Sequence, residues 1–317
     1  LLLSVIVCTH HLDNHENLVE AIESLLRQTY DDLEIIVVVD GNERLFDEIS
    51  RFYQGRQKVK TVITGSKVGV CGARNTGIRL AQGAIVAFTD DDVVADTRWI
   101  ENLVDTYQRC NAVAVGGKIL PIWLATEPEH FPAELGWLVG ITHNGFVEDN
   151  AHEVRNTFGP NMSYRKDVFD KIGVFNECLG LQGADGVWQL QGEEAEFALR
   201  MRWLLGHGVV YNPEAVVYHK VPQWKTVPRT MLRRSFYQGY SKALLIRSMR
   251  SHHTLSVEQG YVARLLVKYI PCRAKRLLLA AGRIAEFKKL VILVACVCST
   301  ALGFFVGFVK GTRHCSA

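Results

Sequence analysis

Two nearly continuous apolar runs, Ser4 to Cys8 and Leu33 to Val39, constrain the fold of this 317-residue chain more than any other feature. Alternating polar and apolar residues would mark a strand with one wet face, whereas unbroken Val and Ile mark strands covered on both faces, as in a parallel sheet. Between the runs Leu18, Ile22, Leu25 and Leu26 recur at helical spacing, which completes a strand, helix, strand unit. A third run, Ala84 to Phe88, follows a helix-like stretch through Leu80 and leads to Asp90. This alternation predicts an α/β fold on a Rossmann-like, mostly parallel sheet. Ligands of such sheets bind beyond the carboxyl ends of the strands, where Thr9, Asp40 and Asp90 fall.

Beyond Ala112 to Val115 the pattern becomes irregular, with Gly116, Gly117, Pro121, Pro128 and Pro132, and predicts a loop-rich stretch to about Pro160. Helices near Lys166 to Ile172 and Glu193 to Leu205 follow, then short strands at Val209 to Tyr211 and Ala215 to Tyr218. Leu1 to Cys8 lacks a basic leader and runs into polar residues, so it is expected to be a strand and not a signal peptide.

The net charge of +3 argues against a nucleic-acid binder, and 48% apolar residues with only 8 Pro exclude a disordered or collagen-like chain. That balance hides an asymmetry, since residues from Lys225 onward carry +15 and those before it −12. An acidic domain followed by a basic, apolar region points to contact with an anionic surface. Within that region Leu290 to Val309 is 20 residues without a charge, flanked by Lys288 and Lys289 and by Lys310 and Arg313. A membrane span needs roughly 20 residues, so a transmembrane helix is predicted. Eight basic residues between Arg264 and Lys289 face Glu286 alone, which places that side, and the front domain, in the cytoplasm by the positive-inside rule. Arg264 to Ile270 and Arg276 to Phe287 mix aliphatic and basic residues as interfacial helices do. The eight cysteines show no metal-finger spacing and are expected to be free thiols.

Asp90, Asp91 and Asp92 stand at the end of an apolar strand, where mutual repulsion calls for a hard divalent cation or for solvent. Gly69, Gly72, Ala73, Arg74, Asn75 and Gly77 form a compact block with one guanidinium able to bind phosphate or brace the aspartates; its spacing is neither that of a P-loop nor of a dinucleotide fingerprint. Glu193, Glu194 and Glu196 open a helix, as dipole partners or as a source of a general base. Arg233 to Lys242 combines cations, aromatics and a glycine, a composition suited to a lipid phosphate or to headgroups generally.

In this order the motifs make the chain resemble the inverting family 2 glycosyltransferases, which have a GT-A fold. The resemblance rests on Ser4 to Thr9, Asp40-Gly41, the Gly69 to Gly77 block, Asp90-Asp91-Asp92 in place of a DxD motif, Gly159-Pro160-Asn161-Met162, Gly192-Glu193-Glu194 and Val217-Tyr218-His219. It implies nucleotide-sugar contacts from Thr9, Asp40, Arg74, Asp90 and Asp91, and a Mn²⁺ or Mg²⁺ ion held by Asp92 and Asp90, with His219 as a further candidate. In the family an acid pair supplies the catalytic base from its second position, here Glu194, with Glu193 as the alternative because the family's Asp is replaced by Glu. With its C-terminal hydrophobic stretch the chain resembles archaeal glucosyl-dolichyl phosphate glucuronosyltransferases more than polysaccharide synthases with several spans.

The expected function is therefore transfer of a sugar from a nucleoside-diphosphate sugar, with UDP-glucuronate the specific expectation, to a polyprenyl- or dolichyl-phosphate-linked sugar. Arg233, Arg234 and Lys242 are the candidate lipid-phosphate contacts, and Arg155 or Lys118 the candidates for a donor carboxylate. The alternatives are a synthase that uses the bare lipid phosphate and a noncatalytic nucleotide-sugar-binding module. The expected organisation is a catalytic domain over 1–224, a basic interfacial region over 225–289, a span over 290–309 and a tail over 310–317.

Overall fold

In a computed structural model, which describes residues 1–144, 146, 152–179, 181–182, 188–249, 256–279 and 283–310, the chain divides into two compact units. The first comprises Leu1–Leu120, Asp149–Asp185 and Glu193–Lys220, and the second Pro121–Glu148, Gly186–Gly192 and Val221–Ala317. The expected tail beyond Lys310 lies outside the described residues.

The first unit opens with β1 (Leu3–Thr9), α1 (His15–Leu26), β2 (Leu33–Val39), α2 (Glu43–Phe52), β3 (Val59–Ile63), α3 (Gly69–Leu80) and β4 (Ile85–Asp90). There follow β5 (Val93–Ala95), α4 (Trp99–Cys110), β6 (Ala114–Trp123), β7 (His152–Val154), β8 (Met162–Arg165) and α5 (Lys166–Ile172). The two-residue strand β9 (Leu181–Gln182) precedes β10 (Trp188–Gln189), which belongs to the second unit, and the first unit closes with α6 (Glu193–Leu205) and β11 (Val209–Val221). The main sheet has the order β3-β2-β1-β4-β8-β6-β11-β5, with β7 on β11.

β1 pairs in parallel with β2, Thr9 opposite Val39, and with β4, Cys8 opposite Asp90. This register brings Thr9, Asp40 and Asp90 to one edge, as the ends of the apolar runs predict. From β4 onward the sheet turns antiparallel, with Phe88 opposite Met162, Gly116 opposite Met162 and His219 opposite Val93. It is thus mixed, and the parallel half is the part that the continuous apolar runs encode.

Ile6, Ile36, Val38, Val86 and Phe88 form the core on one side of the sheet with Tyr164, Phe169, Phe175 and Phe197. Phe197 of α6 lies 4.7 Å from Phe175 and 4.8 Å from Tyr164, ring to ring, so burial of aromatic surface fixes the helix that opens with Glu193 and Glu194. Cys8, Cys71, Cys110, Cys272, Cys296 and Cys298 are free thiols, and Cys315 lies outside the described residues.

The second unit contains α7 (Pro228–Met249), α8 (Ser256–Arg264), a π-helical turn over Leu265–Tyr269, α9 (Ile270–Leu279) and α10 (Arg283–Lys310). Arg273 of α9 is buried between Glu134 at 2.6 Å and Glu286 at 2.9 Å, so two carboxylates compensate its desolvation. The uncharged stretch Leu290 to Val309 lies inside α10, a 28-residue helix long and apolar enough to cross a membrane. α7 and α10 run parallel, because Ser299 Oγ donates to the Leu232 carbonyl while Gly303 faces the Phe236 carbonyl and Gly307 the Tyr240 carbonyl. A Cβ at Gly303 would collide with Phe236 and one at Gly239 with Thr300, so glycines set this close approach.

Candidate active site

The site is built where β1, β2 and β4 end and where α3 and α6 begin. Asp40 follows β2, and its carboxylate accepts Thr64 Oγ1 at 3.0 Å, the Val68 N–H at 2.8 Å and the Gly69 N–H at 2.9 Å. It therefore satisfies orphan donors at the start of α3 and shapes the loop from which that helix springs. The same carboxylate borders a cleft of about 390 Å³ lined by His10, Asp40, Gly41, Asn42, Glu43 and Lys67. Burial, with help from His11 and Lys67, pushes the His10 pKa down to about 4. Sequence reasoning missed His10 and Lys67, although both directly follow strand or loop positions at the carboxyl edge.

The Gly69 to Gly77 block is a helix-packing device. A Cβ at Gly77 would lie 2.6 Å from Ile6 Cγ2, so glycine lets α3 sit directly on β1. Asn75 exchanges hydrogen bonds with the Phe175 backbone at 2.9 and 3.0 Å, which fixes the helix lengthwise. This packing delivers Arg74, almost fully buried, to the acids. Its Nη1 lies 3.2 Å from Glu193 Oε1 and its Nη2 3.8 Å from Asp90 Oδ1. Burial opposes the guanidinium charge, but Glu193, Glu194 and Asp90 outweigh it and raise the pKa.

The three consecutive aspartates separate by direction. Asp91 turns inward and accepts Thr9 Oγ1 at 2.6 Å, and burial pushes its pKa up to about 7 against that hydrogen bond. Thr9 is thereby engaged with Asp91. Asp92 Oδ1 meets His219 Nε2 at 3.3 Å, brought together by the antiparallel pairing of β5 with β11. Asp90 and Asp92 keep partial exposure at the strand end. Among the described residues no three metal-binding side chains form a closed cage. The two partly exposed carboxylates are oxygen donors of the kind a hard cation takes when it completes its shell from a ligand's oxygens, whereas His219 is buried.

Glu193 and Glu194 differ in their surroundings. Glu193 is ion-paired to Arg74, whereas Glu194 Oε1 accepts the Gly159 N–H at 3.1 Å. Burial, and then the neighbouring charge of Glu193, push the Glu194 pKa up to about 7. A Cβ at position 159 would lie 2.6 Å from Arg74 Nη2 and 2.9 Å from Glu194 Oε1, so glycine is what lets both side chains meet there. Asn161, in the same turn, accepts Trp99 Nε1 and donates to the Lys118 and Ala215 carbonyls, holding the turn to α4, β6 and β11.

The remaining expected residues lie elsewhere in the chain. Arg155 Nε donates to Asn156 at 2.8 Å, and Lys118 sits in β6. Arg233, Arg234 and Lys242 all belong to α7 of the second unit, where Lys242 pairs with Glu258 at 2.8 Å and Arg233 lies over the Tyr237 ring at 5.9 Å.

A parallel α/β half continued by antiparallel strands, with acids at the strand ends and at a helix start, defines the GT-A class of transferases. The chain belongs to glycosyl transferase family 2, whose profile matches residues 4–173. It is 37% identical over 309 residues to the glucosyl-dolichyl phosphate glucuronosyltransferase of Haloferax volcanii, covering 97% of this chain and 95% of that protein. The fold is similar to that of the mannosyltransferase PcManGT from Pyrobaculum calidifontis, solved with GDP-Man and Mn²⁺, at TM-score 0.63 and 15% identity over 98% of this chain and 88% of that one. It is also similar to GalNAc-T7, solved with UDP, GalNAc and Mn²⁺, at TM-score 0.56 and 16% identity over 82% of this chain and about half (53%) of that one.

Proposed function

We propose that this glycosyltransferase moves a sugar from a nucleoside-diphosphate donor onto a hydroxyl of a polyprenyl- or dolichyl-phosphate-linked sugar, in a single inverting displacement. The observation that carries the mechanism is Glu194, a partly buried carboxylate at the start of α6 that accepts the Gly159 N–H and whose pKa is pushed up to about 7. Glu194 takes the proton of the acceptor hydroxyl as that oxygen bonds to the anomeric carbon, and the bond to the nucleoside diphosphate breaks on the opposite side. Arg74 pairs with Glu193 and braces Asp90. The donor nucleoside fits the cleft bordered by Asp40. Thr9 acts through Asp91, which it anchors beside the donor diphosphate. Asp92 and Asp90, with His219, would hold Mn²⁺ or Mg²⁺, which supplies neutralisation of charge on the diphosphate when bound. The identity with the Haloferax volcanii enzyme supports a dolichyl-phosphate-linked glucose as acceptor and glucuronate as the sugar transferred; UDP-glucuronate is the donor the reading then takes.

Membrane association through the second unit suits such an acceptor. On the sequence expectation α10 crosses once and leaves the catalytic domain in the cytoplasm, the side on which the basic residues before it lie. The pairing with α7 favours a second arrangement, because it sets Arg233, Arg234 and Lys242 level with the apolar half of α10, as suits helices lying in the plane of the interface.

The direct test offers a panel of nucleotide sugars with Mn²⁺ or Mg²⁺ to the enzyme, with either the sugar-linked lipid or the bare polyprenyl phosphate as acceptor. Nucleoside diphosphate released only with the sugar-linked lipid is the expected result. Release with the bare lipid alone assigns the chain to the synthases.

A further inference from the structure

A guanidinium keeps its charge inside a protein, so burial demands an anion beside it. The deeply buried cations of this chain have one: Glu193 for Arg74, Glu20 for Lys220, Glu258 for Lys242, and Glu134 with Glu286 for Arg273. Arg234 of α7 is only partly buried as a residue, but it has no such anion among the described residues. Its Nε is sealed from solvent with no hydrogen-bond partner among the described residues, and burial lowers its pKa. One helical turn on, Gln238 Oε1 is sealed and without a partner in the same way. Positions 234 and 238 share a helix face, which continues to Ser241. Ser241 Oγ accepts the Gln191 N–H at 2.9 Å, a contact within the second unit.

An uncompensated guanidinium and an amide one turn apart present donors to a singly charged group. The other two cations expected on α7 are less suited, since Lys242 is held by Glu258 and Arg233 is exposed over Tyr237. We propose that Arg234 and Gln238 form the receptor for the phosphodiester of the lipid-linked acceptor, an assignment that rests on the transferase function above. A partly buried Arg whose Nε has no partner gains from an anion that brings its own charge into the site, and the Gln amide can turn its NH₂ toward the same oxygens. The receptor thereby selects a lipid already joined to phosphate before any sugar contact is made.

A phosphodiester also occurs in ordinary phospholipid headgroups, and the experiment separates the two sources. Binding of the full chain is measured to phosphatidylcholine vesicles carrying a glucosyl polyprenyl phosphate, and in parallel to phosphatidylglycerol vesicles without it. Arg234→Gln is expected to weaken the first about tenfold to a hundredfold, the range for one charged hydrogen-bonding group. Attachment to phosphatidylglycerol should stay within about twofold. The variant's melting temperature should not fall, because an uncompensated charge has been removed, whereas a bracing arginine would lower it. Arg234→Lys should recover part of the binding, and Gln238→Leu should show the same selective loss on a smaller scale with the guanidinium in place. Equal loss on both vesicles would make Arg234 a general bilayer contact and overturn the assignment, as would unchanged affinity in Arg234→Gln. Should Arg234→Gln fail to fold, unchanged affinity in Gln238→Leu overturns it. Since binding is read without turnover, an incorrect transferase function shows separately, as Arg234-dependent binding without nucleotide release.

Discussion

Replacing Glu194 by Gln keeps the shape of the protonated side chain and removes its ability to take a proton. General-base catalysis contributes roughly 10² to 10⁴ in rate, so kcat should fall by about that factor while the donor KM changes little. The folded-state pKa of about 7 stands above the reference value of 4.5, chiefly through burial and then through the charge of Glu193. The base is active only when deprotonated, so wild-type kcat should rise with pH through about 7 and level off above it. Glu193→Gln removes the neighbouring negative charge, retains activity above neutrality and moves this limb to lower pH. Arg74→Met removes a charge that lowers the Glu194 pKa and moves the limb to higher pH. The same shift has a stability side. A carboxyl whose pKa is raised on folding is held protonated between pH 4.5 and 7 while the unfolded chain ionises, so its contribution to stability falls across that window and stays lost above it. Glu194→Gln should therefore stabilise the protein at pH 8 by up to on the order of 3 kcal/mol, and at pH 4 hardly at all. Steady-state rates between pH 5.5 and 9 and melting curves at the two extremes check both halves. A Glu194→Gln enzyme of near wild-type rate, with Glu193→Gln inactive, would refute the assignment.

Gly159→Ala places a methyl group 2.6 Å from Arg74 Nη2 and 2.9 Å from Glu194 Oε1, so it should destabilise by about 1–3 kcal/mol and lower kcat with little effect on nucleotide affinity. Asp92→Asn should raise the Mn²⁺ concentration needed for half-maximal rate at least about tenfold and His219→Gln somewhat less, as titration of metal into the stripped enzyme would reveal. Gly303→Leu drives a side chain into the Phe236 carbonyl of α7 and should separate the two helices, seen as loss of a disulfide cross-link engineered between them. A cysteine added after Lys310 should be labelled from outside the cell if α10 crosses the membrane once; labelling from the cytoplasmic side would establish the in-plane arrangement.

The front of the molecule is legible in sequence because burial on both faces leaves an unbroken apolar signature. Leu33 to Val39 is β2 itself, and Lys166 to Ile172 and Glu193 to Leu205 are α5 and α6. β6 is hidden because Gly116, Gly117 and Pro121 look like loop residues; a side chain at 117 would strike the Ala215 carbonyl and one at 116 the Thr157 side chain, so close packing selects the glycines. β11 looks like two strands because Asn212-Pro213-Glu214 looks like a turn, yet the chain continues extended while Asn212 reaches Thr106 and the Asn102 carbonyl of α4. α7 is missed as a helix because its cations and aromatics follow no single apolar stripe, its inner face being set by Gly239 against α10. In the site, Asp90, Asp92, His219, Arg74 and the two glutamates are foreseeable from strand ends and acid runs. The capping by Asp40, the inward turn of Asp91 onto Thr9 and the need for Gly159 arise only from the packing of distant segments.

The central claim is one displacement at the anomeric carbon with Glu194 as base, and the configuration of the product tests it most directly. NMR of the glycolipid formed from an α-linked nucleotide sugar should show a β linkage from the first turnover. A product that retains the α configuration would contradict the account, since it requires a second displacement or a same-face attack that this arrangement of acids does not provide.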